Sequence, residues 1–349
     1  MKILIVKLSS IGDVVHTLPC LYALRTSYPS AKIDWIVEEE AGNILIGHPF
    51  LNEVFVVKKN AWLKDFNKTY NIAKNIRALD YDIVLDFQGL LKSGIWVFLS
   101  NGRRRIGFDK SRELNYLFLN EKLPSCNPDK HAVDRYLDII EYIGIQYDKV
   151  LFPIPISENE KKKVSGLLKT NAIWEGTPFI VANPMARWET KLWDTKKFAD
   201  LCNEIMDRFS HKVVIIGASS GKEIKGVAAL TGNRIIDLTD KTTLRELAYL
   251  MSLSKMVITV DSGPMHIAAA MGVPVIALFG PTAPWRTGPY GEKHAVIRKE
   301  LPCSPCFSRV CKDKDVMCMK RIEVEDILKA VGTCLHKISG GLSELHLAT

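Results

Sequence analysis

Residues 256–280 read MVITVDSGPMHIAAAMGVPVIALFG, and this stretch decides the fold. Four of its first five residues are apolar and four are β-branched, which is typical of a buried strand. A polar turn at 261–263 then leads into a helix of small residues, and 273–278 is a second apolar strand. A strand, a helix and a strand in this order predict a parallel sheet with helices on its faces.

The same alternation of strands and helices runs along most of the chain, starting with KILIVK at residues 2–7. It is interrupted at residues 146–178, where three prolines and a charged run at 160–163 indicate a linker with one short helix. The predicted fold class is therefore α/β, with two Rossmann-like, doubly wound domains. The predicted divisions are two domains followed by a C-terminal helix or tail, at residues 1–170, 171–322 and 323–349.

The composition is that of an ordinary folded protein: of 349 residues, 47% are hydrophobic and 25% are charged. These values exclude disorder and coiled coil as the main architecture. The formal net charge of +8 favours an anionic partner such as nucleic acid, lipid head groups or a phosphorylated substrate. The apolar run before Lys7 is too short for a signal-peptide core, and no apolar run is as long as a membrane span, so we expect a cytoplasmic protein.

The turn at 261–266 is a candidate site for a diphosphate, because ligands of doubly wound sheets bind beyond the carboxyl ends of the strands. The free N–H groups and the dipole of the helix that follows suit an anion, and Ser262 can cap that helix. An ordinary helix cap beside a buried core histidine is the alternative. A second strand end that contains glycine favours the diphosphate. The candidate residues are Asp261, Ser262, Gly263, His266, Gly280 and Thr282.

Two further strand ends carry groups that suit a nucleotide. Lys191 stands between Trp188 and Trp193, where it is either a phosphate ligand or a surface lysine beside two packing aromatics. Glu223 follows a glycine-containing turn at 217–221 and is placed to bind ribose hydroxyls. That turn is, alternatively, only the start of a helix.

Asp13 follows the turn that contains Gly12 and precedes the first helix. The carboxylate either caps that helix or projects into a cleft between the domains as a general base. In the second case it removes a proton from an attacking sugar hydroxyl.

Two carboxylate pairs and a group of four cysteines are candidate metal ligands. Asp80 and Asp82 precede their strand and so lie at the wrong edge of the sheet, while Asp313 and Asp315 alternate with lysines in a charged loop. Neither pair is predicted to bind Mg²⁺, and a helix N-terminus can take the place of the metal at a diphosphate. Four cysteines form either a Zn²⁺ or iron–sulfur site or a loop of packed, redox-sensitive thiols: Cys303, Cys306, Cys311 and Cys318.

Basic residues in the first half are candidates for binding an anion. Three consecutive arginines, at 103–105, follow an Asn-Gly turn and indicate a phosphate or carboxylate site. Aromatic residues are not interleaved with the basic ones as they are in a nucleic-acid platform. The candidate acceptor-binding residues are Ser10, Gly12, Lys64, Gln88, Lys92, Arg103, Arg104 and Arg105.

Several motifs together resemble the bacterial lipopolysaccharide heptosyltransferases, glycosyltransferase family 9. The motifs run in the order that the family has them, and WIVEEE at 35–40 with DFQGLLKS favours the heptosyltransferase I type over type II. They are MKILIVKLSSIGDVVHTLPCLYAL (1–24), DFQGLLKSG (86–94), HAVDRY (131–136), NPMARWETKLW (183–193), VDSGPMHIAAA (260–270) and FGPTAPW (279–285).

The resemblance implies a GT-B fold with a central cleft, an acceptor-binding first domain, an ADP-sugar-binding second domain and a last helix that returns to the first domain. It implies inverting, metal-independent transfer of L-glycero-D-manno-heptose from ADP-heptose to a Kdo residue of Kdo-lipid A, without a cofactor. By motif, Asp13 matches the catalytic base, Lys191 the phosphate ligand and Glu223 the ribose contact. The donor-site loop matches Asp261, Ser262, Gly263 and His266.

A lipid-anchored acceptor implies peripheral contact with the cytoplasmic face of the inner membrane and no role for nucleic acid. Another acceptor, as in heptosyltransferase II, or another nucleotide sugar is the first alternative. A nucleotide-binding or redox-sensing module that works through the four cysteines is the second.

Overall fold

The computed structural model describes residues 1–59, 66–109, 112–124, 127–218 and 222–345. The chain divides into two units, Met1–Pro155 and Ile156–Thr349. Within the described residues, each unit is built on one six-stranded sheet whose strands all run parallel. This arrangement confirms the predicted α/β class with two doubly wound sheets.

The sheet of the first unit comprises β1 (Lys2–Val6), β2 (Lys32–Glu38), β3 (Glu53–Val57), β4 (Ile83–Asp86), β5 (Arg104–Phe108) and β6 (Glu121–Leu123). Their order across the sheet is β3–β2–β1–β4–β5–β6, so the direction of winding reverses between β1 and β4. At such a reversal the loops beyond the strand ends separate and leave a crevice for a ligand.

Helices cover this sheet: α1 (Ile11–Ser27), α2 (Glu39–Gly42), α3 (Phe66–Ala78), α4 (Leu91–Leu99) and α5 (Ala132–Tyr142), with a 3-10 helix at Arg112–Phe118. α1 and α5 pack against each other. The side chains of Ile3, Leu4, Ile5 and Val6 are all 0% exposed, because β1 is central and both faces of the sheet are covered. Full burial of such a side chain stabilises the fold by about 1.5–3 kcal/mol.

The sheet of the second unit comprises β7 (Phe179–Asn183), β8 (Lys212–Ile215), β9 (Ile236–Asp237), β10 (Val257–Val260), β11 (Val275–Phe279) and β12 (Ala295–Arg298). Their order is β12–β11–β10–β7–β8–β9, which repeats the topology of the first sheet with the reversal between β7 and β10. The stretch at 256–280 thus forms β10, a helix and β11, as its sequence predicts.

The second unit contains α6 (Glu158–Thr170), α7 (Thr195–Phe209), α8 (Lys222–Leu230), α9 (Leu244–Ser252), α10 (Gly263–Ala270), α11 (Pro284–Thr287), α12 (Met317–Lys320) and α13 (Val324–Leu345), and a 3-10 helix at Glu189–Lys191. Its core includes Ile180, Ile258 and Ile276 from neighbouring strands. Among the described helices, none combines the length and the apolar character that a membrane span requires.

One boundary differs from the sequence prediction. The division between the units precedes α6 instead of following residue 170, because α6 packs against α9 of the second unit. The last helix packs against α7 and extends to Leu345. Neither contact is visible in the local sequence. The expected return of the last helix to the first domain stays a prediction.

Candidate active site

Asp13 lies at the carboxyl edge of the first sheet, in the first turn of α1. Ser10 is the N-cap residue of this helix. Oδ2 of Asp13 accepts hydrogen bonds from the backbone N–H of Ser10 at 3.0 Å and from the Ser10 hydroxyl at 2.9 Å. Asp13 therefore takes part in capping, and its side chain, which is 37% exposed, can also reach a substrate.

A buried lysine lies directly beneath this carboxylate. Lys7 follows β1, is 2% exposed and places Nζ 3.7 Å from Oδ1 of Asp13. Its ammonium donates to the carbonyl oxygen of Phe87 at 2.9 Å and to the hydroxyl of Tyr136 at 2.7 Å. Burial lowers the pKa of Lys7, and the neighbouring Asp13 carboxylate acts in the opposite direction. The candidate base is thus paired with a cation that solvent does not reach.

Tyr136, from α5, completes this arrangement. Its hydroxyl donates to Oδ1 of Asp13 at 3.1 Å, and Nζ of Lys7 lies 4.5 Å from the centroid of its ring. Burial and the charge of Asp13 raise the pKa of the Tyr136 hydroxyl. The hydroxyl therefore stays protonated and acts as a donor toward Asp13.

The pKa of the Asp13 carboxyl lies below its ordinary value. Loss of solvent by itself would raise this pKa, but the Lys7 ammonium and the hydrogen bonds from Ser10 and Tyr136 outweigh that effect. Asp13 is consequently ionised at neutral pH. An ionised carboxylate with an open face is able to accept a proton from a hydroxyl group.

Gln88 fixes the backbone of the turn that leads to Asp13. Its Oε1 accepts hydrogen bonds from the backbone N–H groups of Leu8 at 3.1 Å and Ser9 at 3.0 Å. The structure thus brings Gln88, which follows β4, to the turn after β1 at the reversal point of the sheet. Its contact with an acceptor stays a prediction.

Lys92 also lies beside this turn. From the first turn of α4 its Nζ donates to the Ser9 hydroxyl at 3.0 Å and to Oε1 of Glu38 at 2.6 Å. Glu38 is the last residue of β2 and is 6% exposed. Strands β1, β2 and β4 therefore all contribute polar groups to the same edge, in the neighbourhood of Ser10 and Gly12.

Arg103, Arg104 and Arg105 do not join this group. They lie at the amino-terminal end of β5, whereas Asp13 follows the carboxyl end of β1, and the strands of the sheet are parallel. Arg103 Nη2 pairs with Asp80 at 3.2 Å, and Arg104 Nε pairs with Glu121 at 2.7 Å. The structure thus places the three arginines at the edge of the sheet opposite to Asp13, and their acceptor role stays a prediction. Lys64 lies outside the described residues.

In the second unit, Lys191, Asp261 and Thr282 come together beyond the strand ends. Asp261 follows β10 and is 5% exposed. Its Oδ2 lies 2.6 Å from Nζ of Lys191 and accepts a hydrogen bond from the Thr282 hydroxyl, also at 2.6 Å. Nζ of Lys191 lies 4.6 Å from the ring centroid of Trp188. Lys191 is therefore held at the sheet edge and does not extend freely from the surface.

The start of α10 differs from the sequence prediction in one respect. Ser262 is the N-cap residue, but its side chain makes no capping bond. Its Oγ instead accepts a hydrogen bond from Nδ2 of Asn183 at 2.8 Å, which joins the ends of β7 and β10. The positive end of the α10 dipole thus lies beside Asp261 and Lys191, where an anion is favoured. His266, in the first turn, is 8% exposed.

Gly280 and Glu223 stand at two other strand ends. A Cβ on Gly280 would lie 2.6 Å from Sδ of Met319 and 2.9 Å from Sγ of Cys318, so packing accounts for this glycine. Glu223 lies in the first turn of α8, and residues 219–221, which precede that helix, are outside the described part of the chain. Its contact with a ribose stays a prediction.

The four clustered cysteines line one cavity of about 40 Å³, next to Thr190 and Pro281. All four are free thiols, and burial together with the nearby thiols raises the pKa of Cys318. In the described ranges, no three His, Cys, Asp or Glu side chains are grouped so that they could hold a metal ion. The cysteines are therefore neighbours: Cys318 is buried, Cys311 is half-buried, and Cys303 and Cys306 are exposed. The predicted alternatives of a metal site and a redox-sensitive thiol loop stay predictions.

Sequence reasoning missed four residues that shape these sites: Lys7, Glu38, Tyr136 and Asn183. A signal was present for two of them, because Lys7 and Glu38 are charged residues that directly follow apolar runs, at 3–6 and 35–37. Tyr136 is recruited over 129 positions of sequence, which local patterns do not reveal.

Comparison with known proteins places this geometry in a family. The model for "Glycosyltransferase family 9 (heptosyltransferase)" matches residues 69–317. Lipopolysaccharide heptosyltransferase 1 of Pseudomonas aeruginosa is 30% identical over 323 residues, which cover 89% of this chain and 87% of that protein. The chain therefore belongs to glycosyltransferase family 9. It is a transferase enzyme of the heptosyltransferase family, as its motifs predict.

Solved structures agree on the fold. A family 9 glycosyl transferase from Veillonella parvula superposes with a TM-score of 0.83 at 24% identity, covering 96% of this chain and 97% of that one. A heptosyltransferase of E. coli, solved with ADP-2-deoxy-2-fluoro heptose, gives a TM-score of 0.74 at 26% identity, with 95% and 99% covered. The fold is GT-B, as the resemblance implies.

Proposed function

We propose that this protein transfers L-glycero-D-manno-heptose from ADP-heptose to a Kdo residue of the lipopolysaccharide inner core, with inversion at the anomeric carbon. The observation that carries the proposal is the ionised, accessible Asp13 carboxylate above the buried Lys7. The E. coli relative solved with an ADP-heptose analogue supports the choice of donor. The P. aeruginosa relative, a lipopolysaccharide heptosyltransferase 1, supports the choice of acceptor and the type I assignment.

In the proposed step, the acceptor hydroxyl oxygen forms a bond to the anomeric carbon while the bond from that carbon to the diphosphate oxygen breaks. The hydroxyl proton passes to Asp13, and ADP leaves with the electron pair. One base and one stabilised leaving group are sufficient for an inverting displacement. Ser10, Gly12, Gln88 and Lys92 are proposed to surround the acceptor.

The leaving diphosphate is proposed to bind at Lys191 and at the start of α10, with Asp261, Ser262, Gly263, His266 and Thr282 around it and Glu223 on the ribose. A lysine and a helix N-terminus supply positive charge where charge develops in the transition state. Because these groups can take that role, we propose that transfer needs neither a metal ion nor a cofactor. The lipid anchor of the acceptor requires peripheral contact with the cytoplasmic face of the inner membrane.

A donor and acceptor screen tests this function. Purified protein is incubated with ADP-heptose, UDP-sugars or GDP-sugars, each with Kdo-lipid A that carries or lacks a phosphate on Kdo. The proposal is supported if the protein transfers sugar from ADP-heptose but not from the UDP- or GDP-sugars, and if EDTA does not change the rate. Transfer from another sugar nucleotide, or only to an acceptor that already carries heptose, replaces it with the alternative of a different donor or a type II acceptor.

Asp13→Ala is the matched catalytic variant for this screen. It should abolish transfer and leave the affinity for ADP nearly unchanged, because Asp13 belongs to the first unit and the proposed donor groups to the second. Circular dichroism and thermal unfolding establish that the variant is folded. Full activity in Asp13→Ala would remove the base from the proposal.

A further inference from the structure

Lys7 and Tyr136 are buried, hydrogen-bonded to each other and both directed at Asp13, and the proposed chemistry so far assigns them no task. We propose that they form a support that keeps Asp13 ionised and correctly oriented for proton abstraction, and that both are therefore positioning residues of the transfer reaction. The inference rests on the proposed role of Asp13 as the base.

Two consecutive hydrogen bonds lead from Lys7 through Tyr136 to Asp13. The Lys7 ammonium donates to the Tyr136 hydroxyl at 2.7 Å, and that hydroxyl donates onward to Oδ1 of Asp13 at 3.1 Å. Each bond polarises the next, so the charge of Lys7 reaches Asp13 both through space and through Tyr136. Oδ2 is held independently by Ser10. Both oxygens of the carboxylate are thus fixed before a substrate binds.

The two supporting residues are much more buried than Asp13. Lys7 is 2% exposed and Tyr136 is 8% exposed, whereas the Asp13 side chain is 37% exposed. Burying an ammonium group is costly, and packing alone would be served as well by an apolar side chain of similar length. The position of the cation beneath an accessible anion is what a base needs, because the charge is shielded from solvent and from substrate alike.

Other charged and titratable groups near the pair come from three elements. Asp86, the last residue of β4, favours the charged form of Lys7, while Arg135 on α5 opposes it. Cys20 on α1 is a buried thiol that faces Lys7 and Tyr136. Within the described residues Lys7 is the cation that forms an ion pair with Asp13, so its removal changes the field at Asp13 directly.

The decisive experiment is the pH profile of kcat/KM for the acceptor in Tyr136→Phe and Lys7→Met. The base must be deprotonated to work, so activity is lost on the acid side as Asp13 gains a proton. Removing a group that favours the carboxylate moves that acid limb to higher pH. We expect a shift in both variants, larger in Lys7→Met, with kcat of Tyr136→Phe about tenfold lower and an unchanged KM for the donor.

Tyr81→Phe is the matched control. Tyr81 is likewise buried in the first unit, and its hydroxyl likewise donates to an aspartate, Asp34, at 2.7 Å. Asp34 lies opposite Leu4 in the middle of β1, and not at the strand end that leads to Asp13. The same atom is removed, so stability should fall comparably while the acid limb stays in place. An acid limb that is unchanged in Tyr136→Phe as well would reduce Tyr136 to a structural residue and overturn the inference.

A direct titration keeps the test independent of transfer. The carboxyl carbon of Asp13 is followed by NMR in protein labelled with ¹³C at aspartate, with Asp13→Asn used to assign the signal. The inference requires an upward shift of its titration in Tyr136→Phe and none in Tyr81→Phe. If the wild-type protein transfers no sugar, the proposed function fails, but this titration still decides whether Lys7 and Tyr136 control Asp13. Because it needs only Tyr136→Phe, it also covers the case in which Lys7→Met does not fold.

Discussion

Each unit presents an aspartate–lysine pair at the reversal point of its sheet, but the two pairs are arranged in opposite ways. In the first unit the cation is buried and the anion is accessible: Lys7 and Asp13 are 2% and 37% exposed. In the second unit the anion is the more buried partner: the side chains of Lys191 and Asp261 are 16% and 6% exposed. The difference indicates two tasks, since an accessible carboxylate suits proton abstraction and an accessible ammonium suits an anionic ligand.

The largest effect is expected from Asp13→Asn, which keeps the shape of the side chain and removes its charge. Loss of a general base lowers kcat by roughly 10²–10⁴-fold. Asp261→Asn is the same change in the other pair. It should lower the affinity for ADP and change the rate of the chemical step much less. Single-turnover rates and ADP titration calorimetry separate the two outcomes. Equal loss of the chemical step in both variants would contradict the division of tasks.

The next effect is expected from Lys191→Met, which leaves the carboxylate of Asp261 buried without its cation. Removing one partner of a buried pair costs about 3–5 kcal/mol, and the remaining exposure of Lys191 places the expected loss at the lower end. ADP affinity should fall by roughly tenfold or more, since the loss of a charge-assisted hydrogen bond to a phosphate costs at least about 1.5 kcal/mol. Denaturant unfolding and calorimetry measure the two quantities.

The double variant Lys191→Met/Asp261→Asn distinguishes the causes. It removes both charges, so the free energy of unfolding should recover most of what the single variant loses, while ADP affinity stays low. Recovery of both quantities would mean that Lys191 acts on the donor only through Asp261. Recovery of neither would mean that the ion pair is not what stabilises this strand edge.

The sequence predicts the two sites unequally. The residues around Asp261 follow one another within short motifs at strand ends, so 256–280 identifies the fold and most of the candidate donor site together. The residues that hold Asp13 come from distant segments: Lys7 follows β1, and Tyr136 lies on α5. In the sequence, Tyr136 has the pattern of a residue on the apolar face of an amphipathic helix. Such a contact follows from the packing of α1 against α5 and is not encoded in any single segment.

The arginine run at 103–105 shows the limit of composition as a guide. Three adjacent arginines suggest an anion site, but their position at the start of β5 puts them at the edge opposite to Asp13. There Arg103 pairs with Asp80 and Asp82, and Arg104 pairs with Glu121. The edge of a parallel sheet at which a residue lies depends on where its strand begins and ends. Strand boundaries are the feature that the sequence predicts least well.

A smaller effect is expected from Thr282→Val, which removes one hydrogen bond to Asp261 and conserves volume. The Thr282 hydroxyl donates to Oδ2, the same oxygen that Lys191 approaches. A hydrogen bond to a charged group contributes about 1.5–3 kcal/mol, so the free energy of unfolding should fall by that amount or less. Thermal and denaturant unfolding check this. A loss as large as that of Lys191→Met would show that Thr282 stabilises the buried Asp261 as strongly as the lysine does.

The smallest effect is expected from Ser10→Ala, and it sharpens the comparison between the two turns. The Ser10 hydroxyl donates to Oδ2 of Asp13, so its removal withdraws one group that lowers the pKa of that carboxyl. The acid limb of kcat/KM should therefore move to higher pH, but only modestly, because the backbone N–H of Ser10 still donates to the same oxygen.

Ser262→Ala is the matched change in the other turn, where the hydroxyl accepts a hydrogen bond from the Asn183 side-chain amide. We expect it to alter the KM for the donor and to leave the acid limb in place. A shift of the acid limb in Ser262→Ala, or its absence in Ser10→Ala, would show that the pH dependence does not arise at Asp13. The two serines occupy the same position, the N-cap of the helix after a central strand, so any difference between them reports what each turn binds.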